Sequence, residues 1–240
     1  MVNFQINVST DSLQASETIF SQTLKLVLGV RRTTCNDLVY VELGIGDAKA
    51  HIRDQQRSYL RKIMARPNFS GSYIDRIIEM ARNSRCPSWL VLQSILSEGA
   101  PDCYADESLE KIRAKIRTEA ATSTRRATYL SMNPELARHS MYDTVVPERH
   151  RMATTRIRLG SHRLRAETGR WARIPRELRV CPCGNDAVQD EEHVMTECPH
   201  SDNLRLNFQN LNFDSISHLM DSEDINSLCK YIYEILKRFE

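Results

Sequence analysis

No apolar run in this chain approaches the roughly 20 residues that a membrane span needs. Residues 1–12 lack the basic start and apolar core of a secretory signal. The sequence has no glycine-rich phosphate loop, no Gly-x-Ser-x-Gly turn and no recognisable acid–base pair of carboxylates. These absences argue against a membrane protein and against an enzyme with chemistry of its own. Alternating strand patterns, internal repeats and low-complexity tracts are missing too. Disulfide spacing is absent: the seven cysteines are odd in number and unevenly spaced. Reduced thiols then fit an intracellular protein, nuclear or cytoplasmic.

What is present is ordinary in bulk and uneven in detail. At 240 residues, 41% hydrophobic and 27% charged, the chain suits one large or two small domains. The formal net charge of +2 conceals a local excess. Nine arginines face two acids, Glu167 and Glu177, between Arg151 and Arg179. From Ser201 to Glu240 seven acids face four bases.

Helical periodicity dominates. Ile19, Phe20, Leu24, Val27 and Leu28 share one face of a helix from Ser12 to Leu28. Asn36 can cap a short helix that ends at Gly44. Asp47 to Arg66 puts Ile52, Tyr59, Leu60, Ile63 and Met64 on one side and Arg53, Arg57, Arg61 and Lys62 on the other. Ser72 and Asp75 suggest a capping box. Pro87 opens a further helix that Gly99 closes. Asp106 to Met132 reads as one long helix with a stripe through Leu109, Ile112, Ile116, Ala127 and Leu130, and Glu107 can pair with Lys111. Ile225 to Phe239 forms a last amphipathic helix, with acids before it and Lys237 and Arg238 at its end. The expected fold is mainly α: a helical bundle over 1–133, then an arginine-rich segment, a small zinc-binding module and a C-terminal helix over 148–240. Pro134 and Pro147 mark the boundary between them.

The module rests on Cys181, Cys183, His193 and Cys198, spaced Cys-x-Cys-x9-His-x4-Cys. Three thiols and an imidazole make a full tetrahedral set for structural Zn2+, with no position left open for catalytic water. Pro182 stiffens the first pair, and Gly184 permits a tight turn after it. His200 is an alternative to His193. Cys35, Cys86, Cys103 and Cys229 read as buried structural residues.

Arg149, Arg151, Arg156, Arg158, Arg163 and Arg165 come in pairs two apart, repeating every seven residues. On a continuous helix the two rows lie roughly 160° apart, so they make no single phosphate-tracking stripe. Composition still favours bidentate phosphate contact. The candidate nucleic-acid contacts are Arg156, Arg158, Arg163, Arg165, Arg170 and Arg173, with His162 and Trp171 able to stack on bases. Against this stands a solvated basic surface that pairs with the acidic C-terminal part. Tyr104-Ala105-Asp106-Glu107 has the outline of a polymerase metal motif, but its acids open a helix, where acids are ordinary.

The run RIRLGSHRLRAETGRW from Arg156 to Trp171 leads into RVCPCG at Arg179 to Gly184 and DEEHVMTECP at Asp190 to Pro199. Together these resemble the C-terminal zinc-binding region of reverse transcriptase proteins from non-LTR retrotransposons. FSQTLKLVLGVRRTTCNDLVYVELG, from Phe20 to Gly44, is similar to the connecting region beyond the polymerase palm in the same proteins. The resemblance implies a fragment lying after the palm, without catalytic aspartates or endonuclease. Its partners would be RNA or target DNA and the polymerase portion of the parent protein. It also implies that Cys181, Cys183, His193 and Cys198 ligate the metal. The rival expectation is a helical protein–protein interaction module that zinc merely stabilises.

Overall fold

The computed structural model describes residues 10–84, 89, 93–95, 97 and 100–239. It is mainly helical, at 66% helix, and among the described residues the only β-pairing is an isolated antiparallel bridge between Val180 and Val188. No described helix is long and apolar enough to cross a membrane. The helices are α1 (Thr10–Leu28), α2 (Asn36–Leu43), α3 (Ala48–Met64), α4 (Tyr73–Ser84), α5 (Tyr104–Glu119) and α6 (Thr124–Met132). They continue with α7 (Glu148–Arg158), α8 (Arg165–Trp171), α9 (Asp202–Asn207), α10 (Ile216–Met220) and α11 (Ile225–Phe239). The helix expected from Pro87 to Gly99, and Cys86, lie largely or wholly outside the described residues.

Two compact units emerge: Met1–Ser21 with Ile45–Lys111, and Gln22–Gly44 with Ile112–Glu240. The boundary expected at 133–147 falls inside the second.

In the first unit, carboxylates organise the helix starts. Asp47 caps α3 by accepting from the Ala50 amide at 2.8 Å, and its other oxygen accepts from Ser108 at 2.8 Å. Asp54 accepts from the amides of Tyr104 and Ala105, at 2.7 and 2.9 Å, and so caps α5 from another helix. That accounts for the Tyr-Ala-Asp-Glu stretch as a helix start, and Glu107 pairs with Lys111 at 2.6 Å as its spacing predicts. Ser72 accepts from the Asp75 amide at the start of α4, but Asp75 answers to Gly71 rather than to Ser72.

The α3 stripe is only partly as expected. Ile63 is buried, Tyr59 and Met64 are exposed, and Arg57 is buried, donating to the Pro101 carbonyl. Its apolar stem serves as core once that carbonyl satisfies the head. On α1 likewise, Leu28 is buried beside Ser21 and Lys25, while Ile19 and Val27 face solvent. Lys25 tolerates burial by donating to the Arg32 carbonyl at 2.9 Å.

The long helix expected from Asp106 to Met132 is two helices, interrupted at residues 120–123. Thr122 bonds back to the Glu119 carbonyl through both its amide and its hydroxyl, and Ser123 takes an extended N-cap conformation. Such local bonds compete with the helical ladder. Periodicity missed the break because Ala127 and Leu130 continue the stripe of Ile112 and Ile116 in the sequence, whereas in the fold Ala127 is exposed and Tyr129, off that stripe, is buried. Asn36 is the first residue of α2, with Cys35 in the capping position.

The core of the second unit forms where α11 packs on α7. Leu228, Tyr231, Ile232, Ile235 and Leu236 meet Ala153, Ile157, Leu164, Val194 and Met195. Each fully buried Leu or Ile there contributes about 1.5–3 kcal/mol. Asp224 caps α11 through the Ser227 amide, a bond that also holds its carboxyl below the usual carboxylate range.

Beside this apolar core lies a buried ion pair. Arg158 is the bulkiest fully buried side chain among the described residues. Its Nε and Nη2 grip the Glu42 carboxylate at 2.7 and 3.0 Å, and its Nη1 donates to the Met132 carbonyl at 3.3 Å. Tyr129 and Tyr142 donate their hydroxyls to the same carboxylate, at 2.9 and 3.2 Å. Burial opposes the guanidinium charge, and the Glu42 carboxylate outweighs it, so Arg158 is held above its ordinary pKa. Arg158 is therefore no nucleic-acid contact. A basic residue in the sequence has become the hub of the interior.

Truncating one member of such a pair strands the other charge. Arg158→Ala is expected to cost about 3–5 kcal/mol, measured by urea unfolding. His139 supplies a pH test. Its Nδ1 accepts from the Met141 amide at 3.0 Å and its Nε2 faces the Met220 carbonyl at 3.4 Å, which fits a neutral ring. Burial, then the Arg158 charge, lowers its pKa to about 4. The unfolded ring titrates near 6.5, so the unfolded state takes the proton first. Stability from this ring is complete above about pH 6.5 and is lost as pH falls toward 4, by about 3 kcal/mol at most. His139→Gln should flatten that part of the stability–pH curve.

Candidate metal centre and arginine surface

Cys181 and Cys183 sit on a tight reversal. Its arms are joined by the Cys181 amide to the Ala187 carbonyl at 2.7 Å and the Gln189 amide to the Arg179 carbonyl at 2.9 Å. Gly184, at φ +87°, makes the turn as its sequence position predicts. The chain then enters a short helical segment. The Asp190 carboxylate caps the His193 amide at 3.1 Å, and His193–Glu197 winds as a π-turn. Its defining bond runs from the Cys198 amide to the His193 carbonyl at 2.7 Å. Five α-helical residues would leave the two side chains about 140° apart. The wider turn brings them to one side.

The ligand atoms of Cys181, Cys183, His193 and Cys198 lie within 4.8 Å of one another and could hold a metal ion. The Cys181 and Cys198 sulfurs are 3.7 Å apart, and Cys183 Sγ lies 3.4 Å from His193 Nε2. A tetrahedron with bonds of about 2.3 Å to sulfur and about 2.05 Å to nitrogen has edges of about 3.8 and 3.6 Å. His193 Nδ1 faces Glu197 at 3.4 Å, the outer carboxylate that commonly orients a ligating imidazole. Burial raises the Cys181 thiol and pushes Cys198 up to about 12. The Asn185 amide, and then His193, lower Cys183 to about 7. His200 is exposed and outside the cluster, which decides between the two histidines. Of the other cysteines, Cys229 is buried as expected, whereas Cys35 and Cys103 are only half-buried.

The expected nucleic-acid contacts divide. His162 is fully buried, like Arg158. It donates from Nε2 to Glu191 at 2.7 Å while Nδ1 accepts from the Leu164 amide at 3.3 Å, so it cannot stack on a base. Burial opposes the Glu191 charge, but its interactions with His162, the hydrogen bond included, outweigh that and hold the carboxyl below its ordinary range. Arg156 is half-buried and donates to the Gly29 carbonyl at 2.9 Å. Arg163, Arg165, Arg170 and Arg173 reach solvent. Arg165 also donates to the Val180 carbonyl at 2.9 Å, and Arg170 pairs with Glu167 at 2.7 Å. Trp171 is 46% exposed and stacks under the Arg31 guanidinium at 3.7 Å.

Sequence reasoning missed Arg31, Arg179 and Glu191. Arg31 is fixed by the Ser161 and His162 carbonyls, from 130 residues away, which no local pattern announces. Arg179 crosses Gly169, where an added Cβ would come within 2.7 Å of its Cγ. This explains the glycine before Arg170 and Trp171. The acids flanking the cluster carry a signal in hindsight: Asp190 also pairs with Arg176 at 2.6 Å, and Glu191 holds His162.

Reduced protein is expected to carry one metal equivalent per chain by elemental analysis. Cys181→Ser and Cys198→Ser should lose it, and Cys229→Ser should keep it. Chelation should lower the melting temperature by on the order of 10 °C. Neither a protein-family model, nor a curated protein, nor a solved structure matches this chain.

Proposed function

We propose that the second unit is a zinc-held module that binds nucleic acid and performs no chemistry on it. Zinc is the metal of choice because three thiolates and one imidazole at tetrahedral spacing suit it, and four protein ligands make the site structural. One observation carries the binding reading: the metal hairpin and the arginine surface are joined by short bonds. Gln189 accepts from the amides of Arg165 and Ala166 at 2.9 and 3.0 Å, and Glu191 holds His162. A metal that orders residues 181–198 thereby also positions α8, with Arg170 and Trp171 on it and Arg173 after it.

The resemblance to the C-terminal region of non-LTR retrotransposon reverse transcriptases supplies the polymer, RNA or target DNA. On this reading the chain is a fragment of such a protein, and the polymerase portion is a further partner. Arg170 and Arg173 would contact phosphates, and Trp171, stiffened by Arg31, would stack on a base. The second reading, a protein-interaction module, draws on α1, where Ile19, Leu26 and Val27 are 68, 80 and 60% exposed.

Binding of single-stranded RNA across a salt series tests the proposal. Six arginines on phosphates would give a slope of about −4, but the four that reach solvent give about −3. Arg163→Ala with Arg173→Ala should make the slope shallower by about 1.4. A flat salt response, or RNA binding unchanged once Cys181→Ser has removed the metal, overturns it in favour of the second reading.

A further inference from the structure

We infer that a cavity beside α8 seats a single phosphate group. Its volume is about 180 Å³, and five arginines line it: Arg125, Arg158, Arg170, Arg176 and Arg179, against the carboxylates of Glu167 and Glu191. Pockets for drug-sized ligands run to roughly 300–1,000 Å³. This one takes a few waters or one tetrahedral oxyanion, and no nucleoside.

The five guanidiniums face four carboxylates, Glu42, Glu167, Asp190 and Glu191, which leaves one positive charge for an anion. Arg158 is neutralised by Glu42 and contributes little. Arg125 and Arg170 share one carboxylate, Glu167, at 2.6 and 2.7 Å. Among the described residues Arg179 donates only to the Ile174 and Ala166 carbonyls, so its charge meets no carboxylate among them. Arg176 reaches Asp190 through one Nη2 contact, and Arg170 reaches Glu167 in the same single-pronged way. Each guanidinium has five N–H donors in a fork that fits a phosphate bidentately. Arg125 Nε is shut off from solvent and finds no hydrogen-bond partner among the described residues. A buried donor without a partner costs about 1–3 kcal/mol unless something supplies an acceptor. Arg170 and Arg176 are each about half exposed, so an anion has a way in.

The seat takes inorganic phosphate in its own right. That its natural ligand is the phosphate of a nucleic-acid strand rests on the function proposed above. The full metal-loaded chain would be melted in sodium phosphate and in sodium chloride at equal ionic strength. Phosphate should raise the melting temperature by about 3–5 °C over chloride. Arg170→Gln and Arg176→Gln should each abolish that rise with unchanged circular dichroism, and Arg149→Gln, outside the cavity, should retain it. No rise over chloride, or an equal rise in all variants, overturns the inference. A competition arm separates the sources. Phosphate that displaces a 5′-phosphorylated RNA oligomer but not its 5′-hydroxyl counterpart places a strand end in the cavity. Phosphate that binds wild type alone and displaces neither assigns the seat to the free anion. A chain that binds phosphate and no RNA keeps the seat and removes the proposed function.

Discussion

The second unit is organised around one buried charge pair. Glu42 on α2 accepts from Arg158, Tyr129 and Tyr142, which come from α7, α6 and the turn before α7. Four donors converge on two oxygens, so the carboxylate survives burial with its lone pairs occupied. The same contacts fix where α2, α6 and α7 meet. Asn133 extends the network, donating to Tyr129 and clamping the Ala137 amide and carbonyl. A hydrophobic interface tolerates small slips, but a bidentate guanidinium–carboxylate pair does not. The register of the unit is therefore set by polar geometry, while its bulk stability comes from the apolar seam between α7 and α11.

From that hub the chain leads outward to the metal centre. Beyond α7, Gly160 turns at φ +57° and His162 drops inward to Glu191, tying the segment to the acids before the π-turn. Arg165 and Ala166 then bond to Gln189. The arginine-rich segment is thus partly scaffold and partly surface. Arg158 and His162 look inward, whereas Arg163, Arg170 and Arg173 look outward. The excess of positive charge left outside, next to a rigid Trp171, is what makes a polyanion the natural partner in the proposal.

Much of this was legible in the primary structure. The spacing of Cys181, Cys183, His193 and Cys198 disclosed the cluster, because ligand types in a short span leave few other uses. The apolar face of α11 and its charged ends were equally plain, as was the stop at Gly44. The break between α5 and α6 was not, because Ala127 and Leu130 carry the apolar stripe on in the sequence, while in the fold the burial passes to Tyr129. The inward turn of Arg158 was invisible as well, since its partner lies 116 residues away.

By itself the sequence determined several of the helices, α2, α3 and α11 among them, and which four side chains could share a metal, since both follow from short-range spacing. Tertiary structure alone decided which arginines are buried, that His193 rather than His200 joins the cluster, and that Arg31 braces Trp171. The physical reason is the same in each case. A charged side chain lies inside or outside according to whether a distant partner satisfies it, and only the folded chain brings that partner within reach.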